Sequence, residues 1–245
     1  MIEFRSTMDV TLTDAFGNDE SIVAAARVST GREGDKTAVF GLLNYLMKHR
    51  HGSPFEHNGM TFLIHAPIFV WRQFHKHRIG FSYNEESARY KTLKPVFYIP
   101  DFSKRPCYKV EASQWTPSRP KMSHFPEILQ DEFSSYGEMN EYITRQMQES
   151  YMQSYSVYRK NLELGLDPGL ARACLPVAIY SSCYVTCNAR SLMHFLSLRT
   201  HDPESRFVSY PLAEIEMVAR QMEEVFKKLF PFTHEAFVKN KRVSP

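Results

Sequence analysis

Arg72-Gln73-Phe74-His75-Lys76-His77-Arg78-Ile79-Gly80-Phe81-Ser82-Tyr83-Asn84-Glu85-Glu86-Ser87-Ala88-Arg89-Tyr90 is the stretch on which the reading of this chain turns. Arg72, Lys76, Arg78 and Arg89 are cationic, and His75 and His77 add imidazoles. Between them stand the hydrogen-bonding Gln73, Ser82, Asn84, Glu85 and Ser87 and the aromatic Phe74, Phe81, Tyr83 and Tyr90. Guanidinium forks and hydroxyl donors both match phosphate oxygens. The carboxylates would hold the arginines in place or accept N–H and O–H groups of a base or sugar. A solvated charged turn is the plain alternative. Against it stands the preceding segment, Met60 to Trp71, which reads as buried and gives the cluster a rigid base.

Immediately upstream, Met60, Phe62 and Ile64 alternate with Thr61, Leu63 and His65, the pattern of a strand with one more polar face. Pro67 suits a first helical turn and Gly80 a stop. Between them Gln73, Lys76 and His77 share a face, while Phe69 and Val70 offer core contacts. The cluster is therefore expected at a helix end that runs into a polar loop. Further upstream, residues 2–12 read as a strand closed by Thr11, Asp14 and Gly17. A helix is expected from Asp19, broken at Gly31 and Gly34, and an amphipathic one from Lys36 through Val39, Phe40, Leu43, Leu46 and Met47. His51-Gly52-Ser53-Pro54-Phe55-Glu56-His57 reads as a turn. Its residue types include zinc ligands, but the spacing is not diagnostic, and His51 and His57 read equally well as hydrogen-bonded loop histidines.

Downstream, residues 94–125 are proline-rich and read as an irregular excursion. A long helix follows from about Glu127 to Leu164, broken near Ser134–Gly137 and ended by Gly165. Pro168 opens a short helix bearing Arg172. Val177 to Cys187 is a strand or an apolar helix, and periodicity does not choose. Asn188 is a good N-cap for a helix through Leu198. On that helix Arg190, His194 and Ser197 share one face, with Leu192, Phe195, Leu196 and Arg199 on the other, which suits burial between subunits. Pro211 to Phe230 is an amphipathic helix with Ile215, Val218, Met222, Val225, Phe226 and Leu229 inward and Pro231 as its terminator. The basic tail Lys239 to Pro245 reads as loose.

The 245 residues are ample for a core, and 43% hydrophobic with 23% charged is an ordinary globular composition. A net charge of +3 assists a phosphorylated small molecule but falls short of a dedicated nucleic-acid binder. Cys107, Cys174, Cys183 and Cys187 form no C-x-x-C pair. There is no signal pattern at Met1 and no run of ~18 apolar residues. Reduced thiols, a cytoplasmic location and no membrane association are expected.

Taken together, His51 to Tyr90 and Asn188 to Arg199 resemble the flavin-dependent thymidylate synthases, the ThyX family. The family signature is R-H-R, seven residues, then Ser, within a longer S-x-N-E-x-S-x-R-Y pattern. This chain has Lys76-His77-Arg78 and then Ser82-Tyr83-Asn84-Glu85-Glu86-Ser87-Ala88-Arg89-Tyr90. The likeness continues through Arg172 and the block Asn188-Ala189-Arg190 to His194 and Arg199. It implies one α+β synthase domain over 1–245, a small sheet packed by long helices, and a homotetramer with active sites between subunits. It also implies conversion of dUMP to dTMP, with 5,10-methylenetetrahydrofolate as carbon donor and NADPH, through FAD, as hydride source. By the same resemblance Ser53, Glu56, Lys76, His77, Arg78, Asn188, Arg190 and His194 contact FAD. Gln73, Lys76, Glu85, Ser87, Arg89, Arg172 and Arg199 contact dUMP, and Arg199 is the catalytic residue that polarises the pyrimidine. No metal is implied.

The chain departs from the family at three places. Lys76 replaces the first signature arginine, keeping the charge but losing the bidentate fork. Eight residues separate Arg78 from Ser87, with the extra one placed within Ile79-Gly80-Phe81; placed elsewhere, it would put Glu86 in the role of Glu85. Leu212-Ala213-Glu214-Ile215 matches the family only in part. Ser87 as a covalent nucleophile lacks an arranged base and is assigned to substrate contact. Two rivals are a metal-dependent hydrolase using His51, His57, His75 and His77, and an RNA-binding module built on 72–90, which the carboxylates and mild charge disfavour.

Overall fold

The computed structural model describes residues 1–28, 38–103 and 132–245. In chain order the elements are β1 (Glu3–Arg5), β2 (Asp9–Phe16), α1 (Asp19–Arg27), α2 (Val39–Lys48), a 3-10 turn (Ser53–Glu56), β3 (Gly59–Pro67), α3 (Ile68–Phe74) and β4 (Phe81–Glu85). They continue as β5 (Val96–Tyr98), α4 (Tyr136–Glu163), α5 (Pro168–Ala171), a 3-10 turn (Arg172–Cys174), β6 (Tyr180–Cys187), α6 (Ala189–Arg199), α7 (Ala213–Leu229) and α8 (Pro231–Lys239). Helices with small sheets make this an α+β fold. Among the described residues, no helix is long and apolar enough to cross a membrane. The expectations at Gly31, Gly34 and Lys36, the body of the proline-rich excursion, and the helix start at Glu127 lie outside the described residues.

Two compact units emerge. The first gathers Met1–Thr7, Pro67–Phe69 and Ser87–Ser181. In it β1 lies parallel to β5, with Glu3 opposite Val96 and Arg5 opposite Tyr98, so the stretch expected to be irregular opens on a strand. Helix α4 begins at Tyr136 because Ser135 caps it: its Oγ accepts from the Glu138 amide at 3.2 Å. Residues Ser134 and Ser135 are non-helical, in keeping with the break expected near Ser134–Gly137. Gly165, at φ +83°, follows its last turn. Tyr155 and Tyr158 bracket Leu93, one hydroxyl donating to its carbonyl at 3.1 Å and the other accepting from its amide at 3.3 Å. Tyr151 stacks on the buried Phe97 at 5.3 Å.

The second unit gathers Met8–Ala66, Val70–Glu86 and Ser182–Pro245. Its sheet runs in the order β2-β3-β6-β4. On β3, Met60, Phe62 and Ile64 are fully buried while Thr61, Leu63 and His65 are half-buried, as the alternation predicts. Thr61 and Thr186 share a hydroxyl hydrogen bond of 3.0 Å across β3 and β6. The stretch over residues 2–12 expected as one strand forms β1 and β2, and β2 runs through Thr11 and Asp14, absorbing a bulge between Leu12 and Asp14, to close at Gly17. Helix α7 buries Ile215, Val218, Met222 and Phe226 completely, roughly 2 kcal/mol each; Val225 and Leu229 sit at its margin.

Two expectations need correction in this unit. The helix after Pro67 stops at Phe74, and residues expected as polar loop form β4, whose Phe81 pairs with Cys187 and Glu85 with Cys183. Helix α7 does end before Pro231, which in turn opens α8 at its first position, where a missing N–H costs nothing. Buried Asp19 caps that helix, accepting from the amides of Phe232 at 2.8 Å and Thr233 at 2.9 Å. The tail is not loose. Arg242 is buried, donating to Glu223 Oε1 at 2.7 Å and to Thr200 Oγ1 at 2.8 Å. Ser244 Oγ donates to the Arg190 carbonyl at 3.1 Å.

Burial pushes the Glu223 carboxyl up, but hydrogen bonds and charge from His234 and Arg242 outweigh this and hold it at about 2. A depressed carboxylate stabilises above its ordinary value, so this contribution is complete above about pH 4.5 and fades as pH falls toward 2. Arg242→Met should cost about 1.5–3 kcal/mol in urea unfolding, because it removes one charged partner of a buried carboxylate that keeps His234 and Arg220. Adding Glu223→Gln should recover part of that loss and flatten the acid limb of the stability profile.

Candidate active site

Strand β6 passes into α6 through the single residue Asn188. Its side-chain oxygen accepts from the Ser191 amide at 2.9 Å, the N-cap bond expected from the sequence. A second first-turn amide, that of Ala189, is taken by Asn58 Oδ1 at 2.8 Å. Asn58 is itself buried and held by donation to the Phe55 carbonyl at 3.0 Å. The start of α6 is therefore fixed from the 3-10 turn as well as from its own cap.

Two arginines mark the ends of the helix. Arg190, near the start, is ion-paired with Glu56 and donates through Nε to the Pro245 carbonyl at 2.8 Å. Its guanidinium lies over Gly52, where a Cβ would come within 2.5 Å of it. Arg199, at the end, donates from Nε to His77 Nε2 at 3.0 Å and from Nη1 to Gln73 Oε1 at 3.5 Å. Among the described residues no carboxylate pairs with it. Partial burial lowers its affinity for the proton, yet a guanidinium remains charged at neutral pH.

His77 is buried, and burial, then the charges of Arg199 and His194, lowers its pKa to about 4. It is neutral at physiological pH, and its Nε2 must be the unprotonated nitrogen because Arg199 donates to it. The ring packs edge-on against Phe195 at 4.9 Å. Tyr83, on β4, holds the backbone beneath it: the phenol is 2.5 Å from the His77 carbonyl and 3.2 Å from that of Phe74. The Tyr83 ring meets His75 at 4.9 Å and stacks on Phe81 at 5.9 Å.

Of the residues singled out in the sequence, Ser53, Glu56, Gln73, Lys76, His77, Arg78, Glu85, Asn188, Arg190, His194 and Arg199 fall in the second unit. The direct contacts among them are Glu56–Arg190, His77–Arg199 and Gln73–Arg199, with His194 facing His77 at 6.2 Å between ring centres. Ser53, Lys76, Arg78, Glu85 and His194 are exposed. Ser87, Arg89 and Arg172 fall in the first unit. There Ser87 Oγ accepts from the Arg89 amide at 3.3 Å, and the Arg89 side chain passes Gly169 of α5, just before exposed Arg172. Beside the start of α6, a cleft of about 400 Å³ is walled by Phe16, Phe81, Asn58, Ser82, Thr186 and Asn188.

Sequence reasoning missed the work of Asn58 and Tyr83. Tyr83 was visible as one member of an alternating Phe81, Tyr83, Glu85 set, the strand signal that the neighbouring charges obscured. Burial pushes the Cys183 thiol up to about 12 and that of Cys187 higher still, so neither is a thiolate. No three His, Cys, Asp or Glu side chains converge as metal ligands among the described residues.

The profile of the family described as thymidylate synthase complementing protein matches residues 11–232. The chain is 46% identical to a flavin-dependent thymidylate synthase of Streptomyces coelicolor, over 100% of this chain and 96% of that protein. It is equally similar, at 46%, to the enzyme of that name from Tropheryma whipplei (strain TW08/27), over 99% of this chain and 97% of the other. Among solved structures, the UMP/dUMP methylase PolB from Streptomyces cacaoi bound with 5-Br UMP matches with a TM-score of 0.84 and 44% identity, all of both chains being covered.

Gly80 sits at φ +69°, and a Cβ there would fall 2.0 Å from Ser191 Oγ, on the first turn of α6. Gly80→Ala should cost about 1–2 kcal/mol in urea unfolding from the left-handed backbone alone. Gly41→Ala, in α2 with no atom within 4 Å of the new methyl, should instead stabilise by about 0.5–1 kcal/mol.

Proposed function

Because the chain belongs to the thymidylate synthase complementing protein family, we propose that it catalyses the reductive methylation of dUMP to dTMP. The protein is an enzyme, a methyltransferase, with the flavin dependence of its relatives. In this reading 5,10-methylenetetrahydrofolate is the carbon donor and NADPH the source of the hydride. One synthase domain over 1–245 acts as a homotetramer in the cytoplasm, with active sites between subunits.

What carries the reading is the electrostatic state of Arg199. Arg190 is neutralised by Glu56, Arg220 by Glu216 and Arg242 by Glu223. The two partners of Arg199 are a neutral imidazole and a carboxamide, so its charge is left for a substrate. Making C5 of a pyrimidine nucleophilic places negative charge on the ring. A preorganised cation stabilises that charge with little reorganisation. Arg199 is the proposed catalytic residue, with Gln73, Lys76, Glu85, Ser87, Arg89 and Arg172 as further dUMP contacts.

The residues also suit FAD. A flavin dinucleotide carries a diphosphate, and the exposed Lys76 and Arg78, the Ser53 hydroxyl and Arg190 are the donors such a group takes. Asn188 and His194 complete the set on α6, with Glu56 holding Arg190 and His77 lying behind Arg199. Bound FAD would supply the hydride transfer that side chains cannot perform. A second reading, in which UMP is also methylated, is favoured by the Streptomyces cacaoi neighbour, a UMP/dUMP methylase.

Purified protein given FAD should show flavin absorbance that NADPH bleaches anaerobically, with dUMP altering the rate, and should form dTMP once the folate is added. Failure to bind flavin would remove the proposal, and UMP in a parallel assay decides the second reading. Arg199→Ala should abolish methyl transfer while flavin stays bound; near-normal turnover would take the catalytic role from Arg199. Arg190→Ala should lower flavin content, and an unchanged content would make that residue structural.

A further inference from the structure

We infer that His77 and Tyr83 are positioning residues for Arg199, the imidazole acting as an uncharged acceptor that aims the guanidinium and the phenol clamping the turn that carries the imidazole. The inference rests on the catalytic reading of Arg199. It gives His77 a task distinct from contacting flavin, and Tyr83 a task where none was assigned.

The geometry forms a chain of three links. Tyr83 donates its single proton to the carbonyls at the end of α3, 2.5 Å to His77 and 3.2 Å to Phe74. The Tyr83 ring is kept in place by Phe74, edge-on at 5.9 Å, and by stacking on Phe81. The His77 ring, wedged against Phe195 and Phe81, then presents Nε2 to Arg199 Nε at 3.0 Å. Nη1 reaches Gln73 at 3.5 Å. Nε and Nη1 are donors on one planar guanidinium, so acceptors at both constrain its plane, and its remaining N–H groups have no partner among the described residues.

The chemistry of the acceptor decides its use. A carboxylate at position 77 would hold Arg199 as well but would cancel its charge; an apolar residue would leave the charge unaimed. A neutral ring nitrogen does neither. The charged and titratable groups that face the ring are Arg199 and His194 from α6, with the Tyr83 phenol on its backbone side. Both α6 groups disfavour an imidazolium, and so does burial, which together keep the acceptor in its lone-pair form.

The test is a series at position 77 with the flavin-loaded enzyme, measuring kcat and KM for dUMP, flavin content and thermal unfolding. His77→Gln places an oxygen near the Nε2 position and should keep kcat within about tenfold of wild type, whereas His77→Leu should lose about 100-fold in kcat, the cost of a misaimed group. His77→Glu should fall as far as Leu although its hydrogen bond is restored. Tyr83→Phe should lower kcat more than it raises KM. If Gln and Leu are equally impaired at equal flavin content, or if Glu is as active as Gln, the inference is overturned. Crystal structures of wild type, His77→Gln and His77→Leu provide a readout that needs no turnover: the guanidinium should keep its plane in the first two and turn away in the third. Should the wild type form no dTMP, the proposed function fails, while the positioning of Arg199 still stands or falls on those three structures.

Discussion

A strand that becomes a helix across one residue leaves no slack, and the second unit is arranged around that junction. Asn188 must end β6 in extended backbone and begin α6 with its side chain on an amide. The register of β6 against β3 and β4 therefore dictates the rotation of α6, and with it the directions of Arg190 and Arg199. Asn58 reinforces the junction from the turn that carries Glu56. Gly80 packs against the same first turn because any larger residue would collide with Ser191. Three segments far apart in sequence thus converge on one helix start.

The functional consequence is a helix that displays two arginines in different electrical states. At its start the guanidinium is spent on Glu56 and on a backbone carbonyl. At its end it meets only neutral acceptors. An ion-paired arginine is a fixed donor array, whereas an unpaired one is a source of field, and the second is what an anionic ring requires. The same residue type therefore takes two roles because of the groups that happen to lie opposite.

The features legible in the sequence were the local ones. The alternation of Met60, Phe62 and Ile64 and the cap at Asn188 depend on neighbours a few positions away, and both formed as read. Strand β4 reads as a loop in the sequence because Ser82, Asn84 and Glu85 are polar. It is an edge strand with only part of its surface buried, so polar residues are tolerated there. Among the site residues, Gln73, His77 and Arg199 were named individually through the family likeness. Their hydrogen bonds join positions more than a hundred residues apart, and no local pattern reports such a pairing. The tail reads as loose because its charge suggests solvent; the charge of Arg242 is instead consumed by Glu223 inside the unit.

That tail also constrains how the chain can drift. Lys241 and Arg242 are consecutive non-glycine residues in left-handed backbone, both at φ 57°, a conformation that glycine and asparagine adopt at lower cost. Position 241, exposed and making a loose pair with Glu204, is free to move toward either of them. Position 242 has no such freedom, because the substitution that relaxes its backbone would take one charged partner from buried Glu223 and release Thr200 beside Arg199. A lineage carrying this arrangement is expected to exchange Arg242 and Glu223 together or to keep both, so a strained corner near the end of the chain becomes one of its least negotiable points.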